Sequence, residues 1–293
     1  MTGLDLVATR AMRARLHPRA VAGLWLWQTG LALTASWPAA SLASAAFGRG
    51  PHGDAPLWSD GGHALLDFLW HDAHGLAAVG ATAKIALGVA VVGGLLPMAG
   101  AMIAIACTTR DRAAAALVRS FTGALRAMPS LLWLLGVVGA AEAGTIAIGV
   151  LIGAGARIWT LESLGEVRAR RMEIAIALVF VVVASGLAVM HDLARAAASC
   201  FRATGWRALV VGARVFGQAP LVLWWSWAWR GLFSLAPILA VAGVATRIGG
   251  RGGVELVVLA LLHQGVVLSR VALHTSWLAR AVRAVSESFE TQT

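Results

Sequence analysis

The sequence predicts an all-α polytopic membrane protein with about six transmembrane helices. Three observations carry this. Hydrophobic residues make up 59% of the 293-residue chain, charged residues only 13%, and the mean hydropathy is +0.76. That lies outside the range of soluble domains, which have nowhere to bury so much Leu, Val and Ala. The apolar residues fall in runs of a length that crosses a bilayer. Arginines cluster at the ends of those runs, as flanks on the positive inner side do. The net charge of +10 therefore does not indicate nucleic acid, because no soluble stretch is long enough to present a basic surface to it. Thirteen Trp and no Tyr suit interfacial belts, where indole rings favour the headgroup region.

The elements follow in order. Arg10, Arg13, Arg15 and Arg19 precede a first apolar run over 20–47, with small residues at Ala43-Ser44-Ala45. This resembles a signal peptide, but the small-residue site lies beyond the ~15–30 residues of such a segment, so an uncleaved first span is expected. Asp54, Asp60, Asp67 and Asp72 against Arg49 mark 48–72 as an outer loop, in which 64–70 suits a short interfacial helix. The second run, 76–107, ends at Arg110-Asp111-Arg112. Residues 109–129 carry Arg119 and Arg126 and lead as a helix into the next span, with Pro129 near its start. Residues 130–158 are apolar apart from Glu142 and Arg157. They read as one span kinked near Glu142-Ala143-Gly144 or as a hairpin of two. The runs 172–190, 217–244 (interrupted by Arg230) and 254–273 complete the set.

Charge bias chooses between the two counts. With one span at 130–158, the arginine-rich stretches 109–129, 191–216 and the C-terminus all fall inside, and the nearly neutral loop 159–172 falls outside. The hairpin would put Arg195, Arg202, Arg207 and Arg214 outside. Six spans with both ends cytoplasmic follow. The chain divides into 1–73 (basic segment, first span and outer loop), a membrane core at 74–275 and a cytoplasmic tail at 276–293. Cys107 and Cys200 fall near span ends and indicate neither a disulfide nor a metal site.

The segment from Ser199 through Arg202, Ala203, Thr204, Gly205 and Arg207 to Pro220 stands out. A glycine among helix-forming residues predicts two short helices meeting at an angle at Gly205. Arg202 and Arg207 would offer donors to acidic groups on a partner, or would fix orientation and meet lipid phosphates.

This segment resembles the cytoplasmic coupling loop of binding-protein-dependent ABC importer permeases, which carry Glu-Ala-Ala, three residues and Gly, then a hydrophobic helix and a proline. Gly205 matches the glycine, and Arg202-Ala203-Thr204-Gly205 is similar to the phosphonate-type branch. Leu125-Arg126-Ala127-Met128-Pro129-Ser130-Leu131-Leu132-Trp133 resembles that branch's Arg-x-x-Pro-x-x-x-Trp span entry. The stretch from Leu235-Ala236-Pro237 to Gly249-Gly250-Arg251-Gly252 resembles its glycine-rich outer turn. The similarity covers about residues 75–275. Departures sit in the loop itself: Ser199 occupies the glutamate position, Cys200 and Phe201 replace the alanines, and Gln218 stands near the expected proline, with Pro220 following.

The resemblance implies a type I ABC importer permease fold in a bacterial inner membrane, with 74–275 as permease core. It also implies docking of cytoplasmic ATPase subunits on the loop, a second permease chain, an extracytoplasmic solute-binding protein, and a phosphonate or other small oxyanion as solute. The altered loop keeps open a permease-derived scaffold that no longer transports.

Lys84, the only lysine, lies inside the second span, where a charge costs several kcal/mol. Lys84 and Arg230 are candidates for a pathway taken by an anion. Lys84–Glu142 and Arg230–Glu255 are candidate ion pairs. His71 and His74 share a helix face, with His52 and His63 nearby, but form no complete ligand set; a membrane enzyme using these outer histidines is the weakest reading. His191-Asp192 has the same deficiency. Trp224, Trp225, Trp227 and Trp229 suit an aromatic belt. No nucleophile elbow, zinc-protease motif or phosphate loop occurs, so neither catalysis nor a cofactor is expected, and ATP hydrolysis would reside in another chain.

Overall fold

The computed structural model describes residues 18–47, 73–106, 113–248 and 253–290. These residues form α1 (Pro18–Phe47), α2 (Ala73–Gly93), α3 (Leu95–Ala106), α4 (Ala113–Leu164), α5 (Glu166–Phe201), α6 (Gly205–Gln218), α7 (Pro220–Phe233), α8 (Leu235–Ile248) and α9 (Gly253–Glu290). The N-terminal arginines up to Arg15, the outer loop with His52, His63 and His71, the interfacial segment 64–70, Cys107 and the turn 249–252 lie outside the described residues.

Proline and glycine punctuate the helices. The α2–α3 break falls at Gly93-Gly94, and Pro97 follows in the first turn of α3, where a backbone N–H has no intrahelical acceptor to lose. The α7–α8 break at Ser234 has the same form, with Pro237 following, and Pro220 opens α7. The sequence expects a helix leading into the next span past Pro129, and that helix forms. Pro129 lies inside α4, which runs through it without interruption. The stretch 130–158 is therefore a single helical passage, as the charge bias requires.

Among the described residues, five helical stretches are long and apolar enough to cross a membrane: Val79–Ala106, Leu117–Leu161, Glu166–Phe201, Pro220–Val244 and Val257–Glu290. The chain is thus a polytopic helical membrane protein. α1 has the length of a span with 30 residues but not the apolarity, being diluted by Gln28, Thr29, Thr34, Ser36 and Ser41. Two of its polar groups have a partner inside the bundle. Trp25 Nε1 and Thr29 Oγ1 donate to Gln264 Oε1 on α9 at 3.1 and 3.2 Å.

The 52 residues of α4 extend about 78 Å, far more than the ~30 Å of a hydrocarbon core. α4 and α5 pair antiparallel through the tight connection at Gly165, and their contact is the most extensive between any two described helices. Near the connection, Glu173 takes Arg157 at 3.8 Å and Arg170 at 3.0 Å. The core lies toward the other, arginine-bearing ends. Met102, Ile105, Leu131, Leu134, Leu193, Trp277, Leu278 and Val285 are fully enclosed there. The remaining halves of α2, α4, α5, α8 and α9 expose large apolar side chains, as surfaces facing lipid or another chain do. Residues 276–290 are not a tail. They continue α9 into the core, burying Trp277, Leu278, Ala281, Val282 and Val285, and Phe289 stacks on Phe201 at 4.9 Å.

α6 lies against α5 at backbone distance. A Cβ on Gly212 would sit 2.8 Å from both Ala194 N and Met190 O. Backbone cannot move aside as a side-chain tip does. Gly212→Ala is expected to destabilise the fold by about 1–3 kcal/mol. Gly136→Ala, on an exposed face of α4 with nothing within 4 Å, is expected to stabilise by about 0.5–1 kcal/mol. Thermal unfolding of both variants in detergent checks the contrast.

Candidate functional site: a basic turn above a buried ionic cluster

The turn between α5 and α6 is built from the residues singled out by the sequence, but its hinge is displaced. The chain does not break at Gly205. α5 ends at Phe201, and Arg202 adopts the left-handed conformation, φ 55° and ψ 29°. It is the one non-glycine residue with positive φ among the described residues, and a side chain in that region costs about 1–2 kcal/mol. Ala197 O accepts from the N–H groups of both Arg202 and Ala203 and so closes the end of α5. Thr204 then precedes α6, whose first bond runs from Ala208 N to Thr204 O at 2.7 Å.

Gly205 is a helical residue, and its requirement is space. A Cβ there would lie 2.8 Å from Trp133 Cε3 and 3.0 Å from Trp133 Cδ2. Trp206 forms a T-shaped pair with the same indole, with ring centroids 6.3 Å apart. Two separate stretches of sequence, the Arg126–Trp133 span entry and the Arg202–Gly205 turn, therefore meet in one joint.

The turn's side chains divide by exposure. Arg202, Thr204 and Arg207 are exposed, as are Trp206 and Arg214 farther along α6. Ala203 and Gly205 are half-buried. Ser199 is buried, and its Oγ has no hydrogen-bond partner. The outward face is thus basic and aromatic, and the position that is acidic in the resembling family points into the protein.

Beneath the turn, the last ten residues of α5 enter the core. This is the feature the sequence did not reveal, since 191–216 reads there as one cytoplasmic loop. Asp192 is the centre. Its Oδ1 takes Arg195 Nη1 at 3.2 Å, and its Oδ2 accepts from the buried Trp277 Nε1 of α9 at 2.8 Å. Arg195 also reaches Met98 Sδ on α3 at 3.8 Å. His191 Nδ1 stands 3.3 Å from Glu142 Oε1 on α4. The cluster therefore ties four helices together around charges that need partners to remain buried.

His191 Nε2, Arg195 Nε and Ser199 Oγ are buried without a hydrogen-bond partner. Their four-residue spacing places them on one face of α5, a polar line running from the cluster toward the turn. That spacing was readable in the sequence. The remote partners Trp277 and Met98 were not.

Lys84 does not join Glu142. It is exposed on α2, while Glu142 faces His191. Arg230 is not paired with Glu255. Its Nε donates to Ser276 Oγ at 2.9 Å, its Nη1 donates to Ser226 O and Oγ, and its guanidinium lies 4.5 Å from the centre of the Trp229 ring. The two pathway candidates thus sit on separate helices with no shared contact. The α7 tryptophans are spread around a helix. Trp225 is exposed, and Trp224 Nε1 donates to Ser185 Oγ at 2.6 Å. Among the described residues no His, Cys, Asp and Glu group has the makeup of a metal site. Comparison with protein-family models, characterised proteins and solved structures gives no match to this chain.

Proposed function

We propose that this chain is a transmembrane subunit of an ATP-driven importer, in which the 202–207 turn receives an ATPase subunit in the cytoplasm. The observation that carries the reading is the joint between Gly205 and Trp133. Both residues belong to stretches that resemble ABC importer permeases, and they lie 72 positions apart in the chain. The exposed Arg202, Arg207 and Arg214 suit an acidic cleft on the partner. α1, less apolar than the other five but tied to Gln264 of α9, would complete six passages, and both ends would face the cytoplasm of a bacterial inner membrane. A second permease chain covers part of the exposed apolar surface, and a soluble binding protein delivers a small oxyanion from outside.

Movement of the docked ATPases would push the turn. α5 continues without interruption from the turn through the Asp192 cluster to the connection at Gly165, so it can carry a displacement as a rigid body into the spans. Burial of Ser199 favours a second reading, a permease-derived scaffold without ATPase, because no acidic handle faces outward.

Purification of the full chain from its native membrane in mild detergent separates the two. The importer reading expects a co-purifying chain with a phosphate-binding loop and Mg-ATP hydrolysis, lost when Arg202 and Arg207 are both changed to Glu. A stable complex that lacks any ATPase, together with unchanged solute uptake on deletion, would establish the scaffold instead.

A further inference from the structure

Within its apolar run 254–273, α9 exposes two strips on opposite sides. One is apolar, with Val257, Leu261 and Leu268 at 58%, 67% and 46% exposure. The other carries His263 and Arg270, both exposed. Leu261 and Leu268 are seven residues apart, as are His263 and Arg270, so each pair shares a face. The two-residue offset between the pairs turns them to nearly opposite sides of the helix. The flanks between the strips are packed. On one, Gln264 meets Trp25 and Thr29 of α1, and on the other Val266 is buried. A helix packed on the outside of a bundle has one exposed side. α9 has two, so it stands as a wall, with lipid against its leucines and an open space against its cations.

Depth decides what fills that space. His263 lies nine residues from Val254 and ten from Leu273. That is about 14 Å from either end of the run, at the bilayer midplane. Arg270 lies about 10 Å along α9 toward Leu273. Arg270 alone could lift its charge to the interface, but the histidine side chain is too short to do so. Neither residue makes a hydrogen bond or an ion pair among the described residues. Hydrocarbon does not solvate such groups. The chain has no carboxylate between Glu255 and Glu287 to neutralise the strip. A second copy has none to lend either, because Glu142 faces His191, Glu173 takes Arg157 and Arg170, and Asp192 takes Arg195. The space therefore holds water, and its guanidinium is balanced by a mobile anion.

We propose that the His263–Arg270 strip lines a water-filled path and binds a small oxyanion at two successive stations. His263 offers a ring N–H at the midplane, and Arg270 offers its guanidinium fork nearer the Leu273 end. The separation keeps both from gripping one anion at once, so that it can move on. Naming this anion as the imported solute rests on the importer reading; the path itself does not.

Thiol labelling in open fragments of the native membrane tests it, with Cys107 and Cys200 replaced by alanine. The probes are two water-soluble methanethiosulfonates, one carrying an anionic sulfonate and one a cationic trimethylammonium. Both react only with a hydrated, ionised thiol. His263→Cys is expected to react, and Leu261→Cys is not. Measured against a free thiol in solution, the anionic probe should be favoured at position 263. Adding Arg270→Gln should lower that preference about tenfold, and Arg270→Lys should keep it. Ala260→Cys, exposed one turn toward Val254, leaves both cations in place and should react as well. The proposal is overturned if positions 260 and 263 are as unreactive as 261, if Leu261→Cys reacts as readily as they do, or if Arg270→Gln leaves the preference unchanged. No ATPase takes part in the labelling, so a failure of the importer reading would not alter its outcome.

Discussion

On the importer reading proposed above, Gly205→Val is expected to abolish recovery of an ATPase with the purified chain, and Trp133→Ala introduced beside it is expected to restore part of that recovery. The effect is local and steric. Even the first carbon of a side chain at Gly205 would stand 2.8 Å from the Trp133 ring, and Trp206 forms a T-shaped pair with the same ring. The indole is a rigid plate in a T-shaped pair and cannot yield as an unbranched side chain would. Overpacking of this kind costs about 1–3 kcal/mol. The turn then shifts relative to α4, and Arg202 and Arg207 leave their positions together. Gly205→Ala should give an intermediate loss. A double-mutant cycle with Trp133→Ala should return a coupling of about 0.5–3 kcal/mol in thermal unfolding. Strictly additive effects would show that the two residues do not act through their contact.

Asp192→Ala should produce the largest loss of stability of any single change considered, about 3–5 kcal/mol. It removes the acceptor of the buried Trp277 Nε1 and the counter-charge of Arg195, whose guanidinium keeps only the weak acceptor Met98 Sδ. Against a total stability of about 5–15 kcal/mol for a folded domain, that is a large share. Asp192→Asn retains an acceptor for Trp277 while losing the charge, and should fall between wild type and Asp192→Ala. Asp192→Leu combined with Arg195→Met removes both charges at similar volume and should recover much of the loss. Chemical unfolding in detergent distinguishes these variants. Equal stability of Asp192→Ala and wild type would mean that the cluster is hydrated and contributes little.

The long helices and their order were legible in the sequence because a bilayer demands continuous apolar runs and arginine flanks, and both leave plain traces. The passage of α4 through 130–158 followed from charge placement alone. Two segments differ from the sequence expectation for opposite physical reasons. The segment 191–216 reads as a cytoplasmic helix–glycine–helix, yet in 191–200 His191, Arg195 and Ser199 repeat every four residues, and the partners of Arg195 and Asp192 are Met98 and Trp277, far away in the chain. In 276–290, Arg280, Arg283 and Glu287 suggested a tail. The intervening Trp277, Leu278, Ala281, Val282 and Val285 form the opposite, apolar stripe of an amphipathic helix, a periodic signal present in the sequence. At Gly205 the residue was correctly marked, but for the wrong reason. Its lack of a side chain makes room for Trp133, and the chain turns at Arg202.

The turn's role can be read directly by placing a photo-crosslinking residue at position 207 in place of the exposed arginine, irradiating intact cells and identifying the captured chain by mass spectrometry. Docking at this turn predicts capture of a cytoplasmic protein carrying an ATP-binding phosphate loop, with capture lost in the Gly205→Val background. Capture of an extracytoplasmic protein, or of lipid alone, would contradict it.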